Sequence, residues 1–151
     1  MAATQGVVDA IDRIIQYFNS RRLDLPDGFF DRRTQFLING AAFETLLGRS
    51  PDDPLILMLA RGPAGFRFTT KALQHAIPDA RIEKRPIAAD GDPSTIAVQL
   101  KLAGKLRGTA EQIDVVVPIT LKLAAAGHVE IAEATMDESI LEKIREARLR
   151  P

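Results

Sequence analysis

The sequence predicts an α+β fold in which helices cover one face of a curved antiparallel sheet of four to six strands. Apolar residues recur at helical spacing in the first half of the chain, and from Arg81 onward they alternate with polar residues at a period of two. Tight turns join the alternating segments, which implies antiparallel pairing between consecutive strands. Helices that are segregated from such a run of strands are typical of α+β folds.

Length and composition indicate one domain over residues 1–151. A chain of 151 residues can bury roughly 68–70% of its unfolded surface. It has no cysteine, which excludes disulfides, zinc–cysteine centres and a thiol nucleophile. Its 20 Lys and Arg balance 20 Asp and Glu, so no nucleic-acid partner is predicted. The apolar runs are far shorter than the ~20 residues that span a bilayer, and no signal peptide is visible, so we expect no membrane association and a cytoplasmic protein.

The opening segment QGVVDAIDRIIQYFNSRR, residues 5–22, predicts an amphipathic helix. Its apolar side chains form one stripe at helical spacing, and Tyr17 lies at the edge of that stripe. Pro26 and Gly28 then end the helix. The next letters, FFDRR and TQFLING, predict a short helical turn followed by a strand that ends at Gly40.

The middle of the chain predicts more helix. Residues 41–66 are ambiguous, although Ser50 and Pro51 form a helix-start signature within them. The segment AGFRFTTKALQHAI, residues 64–77, predicts a second helix with Phe66 on its apolar face. The letters PDA end that helix.

The second half of the chain predicts three or four long strands. RIEKRPIAA is one, and TIAVQLKLAG, with Ile, Val and Leu on a single face, is another. In IDVVVPITLKL, residues 113–123, Val117 and Ile119 lie on an aliphatic face, whereas Thr120 and Lys122 lie on the opposite face. A slip of one residue would exchange the two faces, so the predicted lining depends on the register of this strand.

The end of the chain predicts a hairpin, a return strand and a helix. AAAG is the hairpin and HVEIAEATM is the return strand. The tail DESILEKIREARLR predicts a helix over 138–151, with capping-box spacing between Ser139 and Glu142. Asp137 immediately precedes this helix and is interpreted as its cap. The alternation of Glu with Lys and Arg in the tail predicts a solvated helix face.

This order of elements resembles the nuclear-transport-factor-2-like superfamily, which is also described as SnoaL-like or ketosteroid-isomerase-like and has a cystatin-like fold. The resemblance rests on the opening helix followed by TQFLING, on ALQHAIPDARIE followed by TIAVQLKLAGKLRG, and on ITLKLAAAGHVEIAEATMD with its glycine hairpin. It covers most of the chain. In that superfamily the sheet curls into a cone that helices close, and its inner face lines an apolar pocket. The resemblance also implies a homodimer through the outer sheet face.

The resemblance implies a pocket for a small apolar or cyclic molecule. The predicted ligand-binding residues are Tyr17, Asn39, Phe66, Val117, Ile119, Ala132, Ala134 and Met136. The two alanines of the return strand would leave room for a ligand, or would simply pack under bulky helix residues. Tyr17 and Asn39 would supply the few hydrogen bonds that such a pocket needs.

The acid–base groups of two enzymes of the superfamily are missing. In ketosteroid isomerase a carboxylate moves a proton, while a tyrosine and a protonated acid donate hydrogen bonds to the enolate oxygen. Tyr17 matches that tyrosine, but the base would fall at residues 37–39 and the acid at Ile119 or Thr120, and none of these is acidic. The Arg-x-Asp pair of limonene epoxide hydrolase is also missing, because the matching strand reads AVQLKL.

Two function classes remain open from the sequence. His75 and His128 are far apart in the chain, so neither a metal site nor a cofactor is predicted. One hypothesis is an isomerase-, cyclase- or dehydratase-type enzyme whose unassigned catalytic Asp, Glu or His comes from residues 41–66. The other is a non-catalytic module for ligand binding, for dimerisation, or for protein interaction through the Thr120 and Lys122 face.

Overall fold

A computed structural model describes residues 2–22, 24–26, 28–42, 61–85 and 94–148. The helices are α1 (Ala2–Asn19), α2 (Gly62–Ala76) and α3 (Glu138–Arg148). The strands are β1 (Phe30–Ile38), β2 (Ala41–Ala42), β3 (Arg81–Lys84), β4 (Thr95–Lys105), β5 (Gln112–Leu123) and β6 (Val129–Ala134). The predicted helix start at Ser50 and the second half of the predicted strand RIEKRPIAA lie outside the described residues.

The strands form one sheet in the order β2–β1–β6–β5–β4–β3. Strands β3, β4, β5 and β6 pair antiparallel in the order of the sequence, and β2 folds back antiparallel on β1. Strands β1 and β6 pair in parallel, and parallel neighbours need a long crossover rather than a hairpin. Between β1 and β6 the chain passes through β2, α2 and strands β3 to β5. The predicted α+β architecture is confirmed, with this one parallel pair added.

The long pair β4–β5 determines which face of the sheet is buried. Val98 pairs with Ile119, and Val98 and Val117 are buried on the face that turns toward the helices. Thr120 and Lys122 are exposed on the other face. The predicted alternation of residues 113–123 is therefore confirmed, and β-branched side chains favour this extended, half-buried backbone.

Two apolar clusters hold the helices on the inner face. Val7 and Ile11 of α1 pack with Leu121 in the first cluster. Ile77, which directly follows α2 and is fully buried, belongs to the second cluster. Ala147 brings α3 into that same cluster, so the tail helix docks on its own chain rather than projecting into solvent.

The connection after α2 touches the sheet at a glycine. A Cβ on Gly104 of β4 would overlap the Ile77 side chain and lie 3.1 Å from the Ala80 Cα atom. Beside it, the Lys105 backbone N–H donates a 2.7 Å hydrogen bond to the Asp79 carboxylate. A side chain at position 104 would therefore force the end of α2 away from β4.

The predicted helical turn in FFDRR is wrong, because β1 already begins at Phe30. The stretch after Phe30 is an irregular part of the β1–β6 pairing. There the buried Thr34 hydroxyl donates a 2.6 Å hydrogen bond to the Val129 carbonyl and accepts one from the Asp31 backbone N–H. A side chain thus replaces part of the main-chain ladder, which local sequence patterns do not reveal.

The predicted capping box, with Ser139 as the cap, is also wrong, because α3 begins at Glu138 and Ser139 lies inside the helix. Asp137 is the cap, as expected, and its Oδ1 accepts a 2.8 Å hydrogen bond from the Ser139 backbone N–H. The Ser139 hydroxyl donates to the same oxygen, and this bond holds the pKa of the Asp137 carboxyl below its usual value. Within the described residues, no helix combines the length and the apolar character needed to cross a membrane.

Candidate ligand-binding cavity

An apolar cavity of about 330 Å³ lies between the inner face of the sheet and the helices. Helices α1, α2 and α3 and strands β1, β3, β4, β5 and β6 all contribute to its wall. The volume falls at the lower end of the range of ligand pockets, roughly 300–1,000 Å³. The fold therefore forms a cavity whose volume suits a small molecule.

The wall is formed mainly by aliphatic and aromatic side chains. Ile14 and Phe18 project from α1, and Leu73 projects from α2. The sheet contributes side chains such as Val98 and Leu100 from β4. Each of these residues follows the helical or strand periodicity that the sequence shows, so the wall is a direct product of local patterning.

Six of the eight predicted ligand-binding residues lie on the wall. They are Phe66, Val117, Ile119, Ala132, Ala134 and Met136. Ala132 pairs with Leu121 and Ala134 pairs with Ile119, so both alanines are on the inner face. Their short side chains leave space above β6, and contact with a ligand stays a prediction for all six.

Asn39 is not on the cavity wall, contrary to the expectation from the sequence. Its side chain forms two 2.8 Å hydrogen bonds with the backbone of Met136, one to the carbonyl and one from the N–H. Its amide also donates to the Glu138 carboxylate at 3.1 Å. Asn39 adopts a left-handed φ of 53°, which asparagine tolerates better than most residues. It joins the end of β1 to the start of α3 and has a structural role.

Tyr17 also lies outside the cavity wall. Consecutive helical residues are about 100° apart, so Tyr17 cannot share the direction of Phe18, which lines the cavity. The Arg22 guanidinium carbon lies 4.8 Å from the centre of the Tyr17 ring. This cation–π contact at the end of α1 accounts for the half-buried ring without a ligand.

Glu133 is on the wall, yet its side chain belongs to the outer face of the sheet. Its cross-strand partner is the exposed Thr120, and such partners share a face. Its Oε2 atom lies 3.9 Å from the position that a Cβ on Gly40 would occupy. The Glu133 carboxylate therefore lies near the β1–β2 turn.

Arg145 of α3 is the charged wall residue that the sequence interpretation missed. Its Nη1 donates a 2.9 Å hydrogen bond to the Glu142 carboxylate, and its side chain is 38% exposed. Its Nε, by contrast, is buried and has no hydrogen-bond partner among the described residues. Leu141 and Ile144 flank it on the wall. The sequence could have indicated this position, because Arg145 follows Leu141 by four residues and the two therefore share a helix face.

The described wall carries one acidic residue, Glu133, whose carboxylate lies near the β1–β2 turn. No histidine or aspartate belongs to it. His75 is exposed, and the Nε2 atom of His128 lies 3.4 Å from the Asp31 carboxylate, away from the cavity wall. The acids of the segment expected to supply a base, Glu44, Asp52 and Asp53, lie outside the described residues.

Comparison with known proteins identifies the fold. No family model and no curated protein matches the sequence. A SnoaL-like polyketide cyclase from Agrobacterium tumefaciens strain C58 superposes with a TM-score of 0.61 at 14% identity, over 91% of this chain and 95% of the other. An NTF2-like protein from Exiguobacterium sp. 255-15 gives 0.60 at 14%, over 85% and 98%. TerC, co-crystallised with polyporic acid, gives 0.64 at 12%, over 93% and 98%.

These similarities confirm the predicted fold, an α+β cone of the nuclear-transport-factor-2-like and SnoaL-like kind. The sequence identities are low, so the likeness concerns the fold alone. What the cavity binds has to be argued from the residues of this chain.

Proposed function

We propose that this protein binds a small, largely apolar molecule in the cavity. The observation that carries the proposal is an apolar cavity of about 330 Å³ that the helices and the sheet line together. The atoms that line an unfilled space lack dispersion partners, and a ligand would restore those contacts. Removing its apolar surface from water would add about 25 cal/mol per Å².

The wall chemistry supports a compact or cyclic ligand. Phe30 lies 5.2 Å from Phe36 and 5.3 Å from Phe66, measured between ring centres, so three aromatic rings meet at one side of the cavity. Aromatic rings favour offset or edge-on contacts with another ring. TerC, a similar structure, was co-crystallised with polyporic acid.

Substitution of Ala134 tests the proposal. An Ala134→Leu variant would place a larger side chain in the cavity, and we expect it to abolish binding of an apolar naphthalene dye measured by fluorescence. Ala97→Leu is the matched control, because Ala97 pairs with the exposed Thr120 and so lies on the outer face. Equal dye binding by both variants and the wild type would contradict binding in the cavity.

An enzyme of isomerase, cyclase or dehydratase type is the second candidate. The fold likeness to a polyketide cyclase favours it, whereas the described wall has no histidine and no aspartate. We propose that one of Glu44, Asp52 and Asp53 would supply the carboxylate in that case. Alanine variants at these three positions, assayed with cyclic carbonyl compounds, should then lose turnover while retaining ligand binding. Wild-type protein that binds such compounds without converting them would leave binding as the function.

We also propose that the outer sheet face pairs with a second copy of the chain. Val116 on that face is 40% exposed, unusually high for a large apolar residue here. It lies near the exposed Pro118 and Thr120 on β5. A Lys122→Glu change should weaken the dimer without lowering the unfolding temperature, as measured by sedimentation and circular dichroism. If the wild type and the Lys122→Glu variant both sediment as monomers, the proposed dimer is refuted.

A further inference from the structure

Thr70 of α2 is a buried polar residue on the cavity wall. Its exposed fraction is 6%, and it shares the wall with Phe66 and Leu73, which lie one turn before and one turn after it on the same helix face. Within the described part of the chain, its hydroxyl forms no hydrogen bond. A hydroxyl that is buried without a partner costs stability, so its presence here needs a physical reason.

The oxygen of this hydroxyl is accessible from the cavity. Among the described residues, the side-chain nitrogen or oxygen that is both fully removed from solvent and without a partner is Nε of Arg145. The Thr70 oxygen also has no partner and therefore keeps some accessible surface. Because Thr70 is buried and borders the cavity, we assign this surface to the cavity side. A molecule in the cavity can then contact the hydroxyl directly.

The neighbouring Thr69 differs from Thr70 in the use of its hydrogen. Thr69 also lies on the wall, but its hydroxyl donates a 2.8 Å hydrogen bond to the Gly65 carbonyl. A hydroxyl has a single hydrogen to donate, so Thr69 has none left for a ligand. The Thr70 hydroxyl still has its hydrogen. The pair therefore presents one available donor to the cavity, and the matching group on a ligand is an acceptor.

The rest of the wall limits the remainder of the ligand. A charged head group would lose its hydration against apolar side chains, so the molecule that fits is neutral. Phe66 lies one turn before Thr70, and its ring centre is 5.3 Å from that of Phe30. A ring on the ligand can pack against these aromatic side chains while its acceptor atom lies beside Thr70.

We propose that the cavity takes a neutral aryl compound with one hydrogen-bond-accepting oxygen, which accepts a hydrogen bond from the Thr70 hydroxyl while the ring packs against Phe66. This inference rests on the proposed binding function and adds the chemical class of the ligand. Thr70 is then a residue that determines specificity, because it favours an oxygen-bearing molecule over a hydrocarbon of the same shape.

Acetophenone and isopropylbenzene provide the test, since they have similar shapes and differ in a carbonyl oxygen. Their affinities are measured by displacement of the naphthalene dye. Thr70→Val nearly keeps the shape of the side chain and removes the hydroxyl. We expect it to weaken acetophenone binding about fivefold and to leave isopropylbenzene binding unchanged. Thr70→Ser keeps a hydroxyl and should restore acetophenone binding. Thr69→Val is the matched control on the same wall and should leave the ratio of the two affinities at the wild-type value.

A second measurement uses the wild-type protein and does not depend on a variant folding. The infrared carbonyl stretch of bound acetophenone should lie below its value in hexane, because a hydrogen bond weakens the carbonyl bond. A stretch equal to that in hexane, or an affinity ratio that is the same in Thr70→Val and the wild type, would overturn the role of Thr70 while leaving apolar binding intact. Failure of both compounds to displace the dye from wild-type protein would overturn the binding function as well.

Discussion

Replacing Ala134 with leucine reports directly on whether the space above β6 is unfilled. Leucine adds three carbons, each worth about 0.8 kcal/mol when buried, and loses about 0.5–1 kcal/mol of rotamer freedom. Ala134 lies on the wall between Ile38 of β1 and Ile119 of β5. We therefore expect Ala134→Leu to raise the free energy of unfolding by about 1.5 kcal/mol. Urea unfolding and an increase of roughly 3–6 °C in the thermal midpoint would measure it.

The matched control is leucine at Ala76, which is fully buried in the second apolar cluster and is not on the cavity wall. There the added carbons meet close-packed atoms, and overpacking costs about 1–3 kcal/mol. The two substitutions should thus have opposite signs. If Ala134→Leu destabilises the protein as much as Ala76→Leu does, the space is already filled in solution and the reasoning about an open cavity fails.

Three further predictions concern the elements that frame the cavity. Gly104→Ala should lower the free energy of unfolding by about 1–3 kcal/mol, because the new Cβ would overlap the Ile77 side chain. Gly6→Ala in α1 is the control: a Cβ there meets nothing within 4 Å, so this change should raise the free energy of unfolding by about 0.5–1 kcal/mol. The hydrogen bond from the Ser139 hydroxyl lowers the pKa of Asp137 from its usual value of 3.8, so the ionised carboxylate stabilises the folded state above that pH, and this contribution disappears as the pH falls through the lowered pKa. Urea unfolding should therefore show wild type losing more stability than Asp137→Asn over that interval, and parallel pH profiles would contradict the cap interaction. Asn39→Ala should cost about 1–2 kcal/mol of stability, since it removes the two bonds to the Met136 backbone, yet leave binding of the naphthalene dye unchanged; a selective loss of dye binding with stability preserved would return Asn39 to the binding site.

Much of the cavity floor could be predicted from local patterning. A strand alternates its side chains strictly, so the apolar positions of IDVVVPITLKL had to share one face. That rule alone placed Val117 and Ile119 together, and the structure has both on the wall. The same alternation carried Ala132 and Ala134 of β6 to the inner face, because the return strand pairs with β5.

The predictions for Tyr17 and Asn39 differ from the structure for another reason. Tyr17 was expected at the pocket because it matches a tyrosine of the resembling enzymes, and both residues because an apolar pocket needs a few hydrogen-bonding groups. The actual partners are the Arg22 guanidinium, in a turn that the helical pattern does not describe, and the Met136 backbone, 97 residues further along the chain. Hydrogen-bond partners at such separations come from the way strands and helices meet.

The sequence by itself determined the class of fold, the faces of the long strands and the apolar character of the wall, since each depends on residues that are neighbours along the chain. Only the tertiary structure decided that β1 lies parallel to β6 and that α3 contributes to the cavity wall. It also decided that one nitrogen of Arg145 is buried there without a partner in the described residues. The periodicity of α3 permits either a solvated or a docked arginine, and the choice depends on packing against elements distant in the chain.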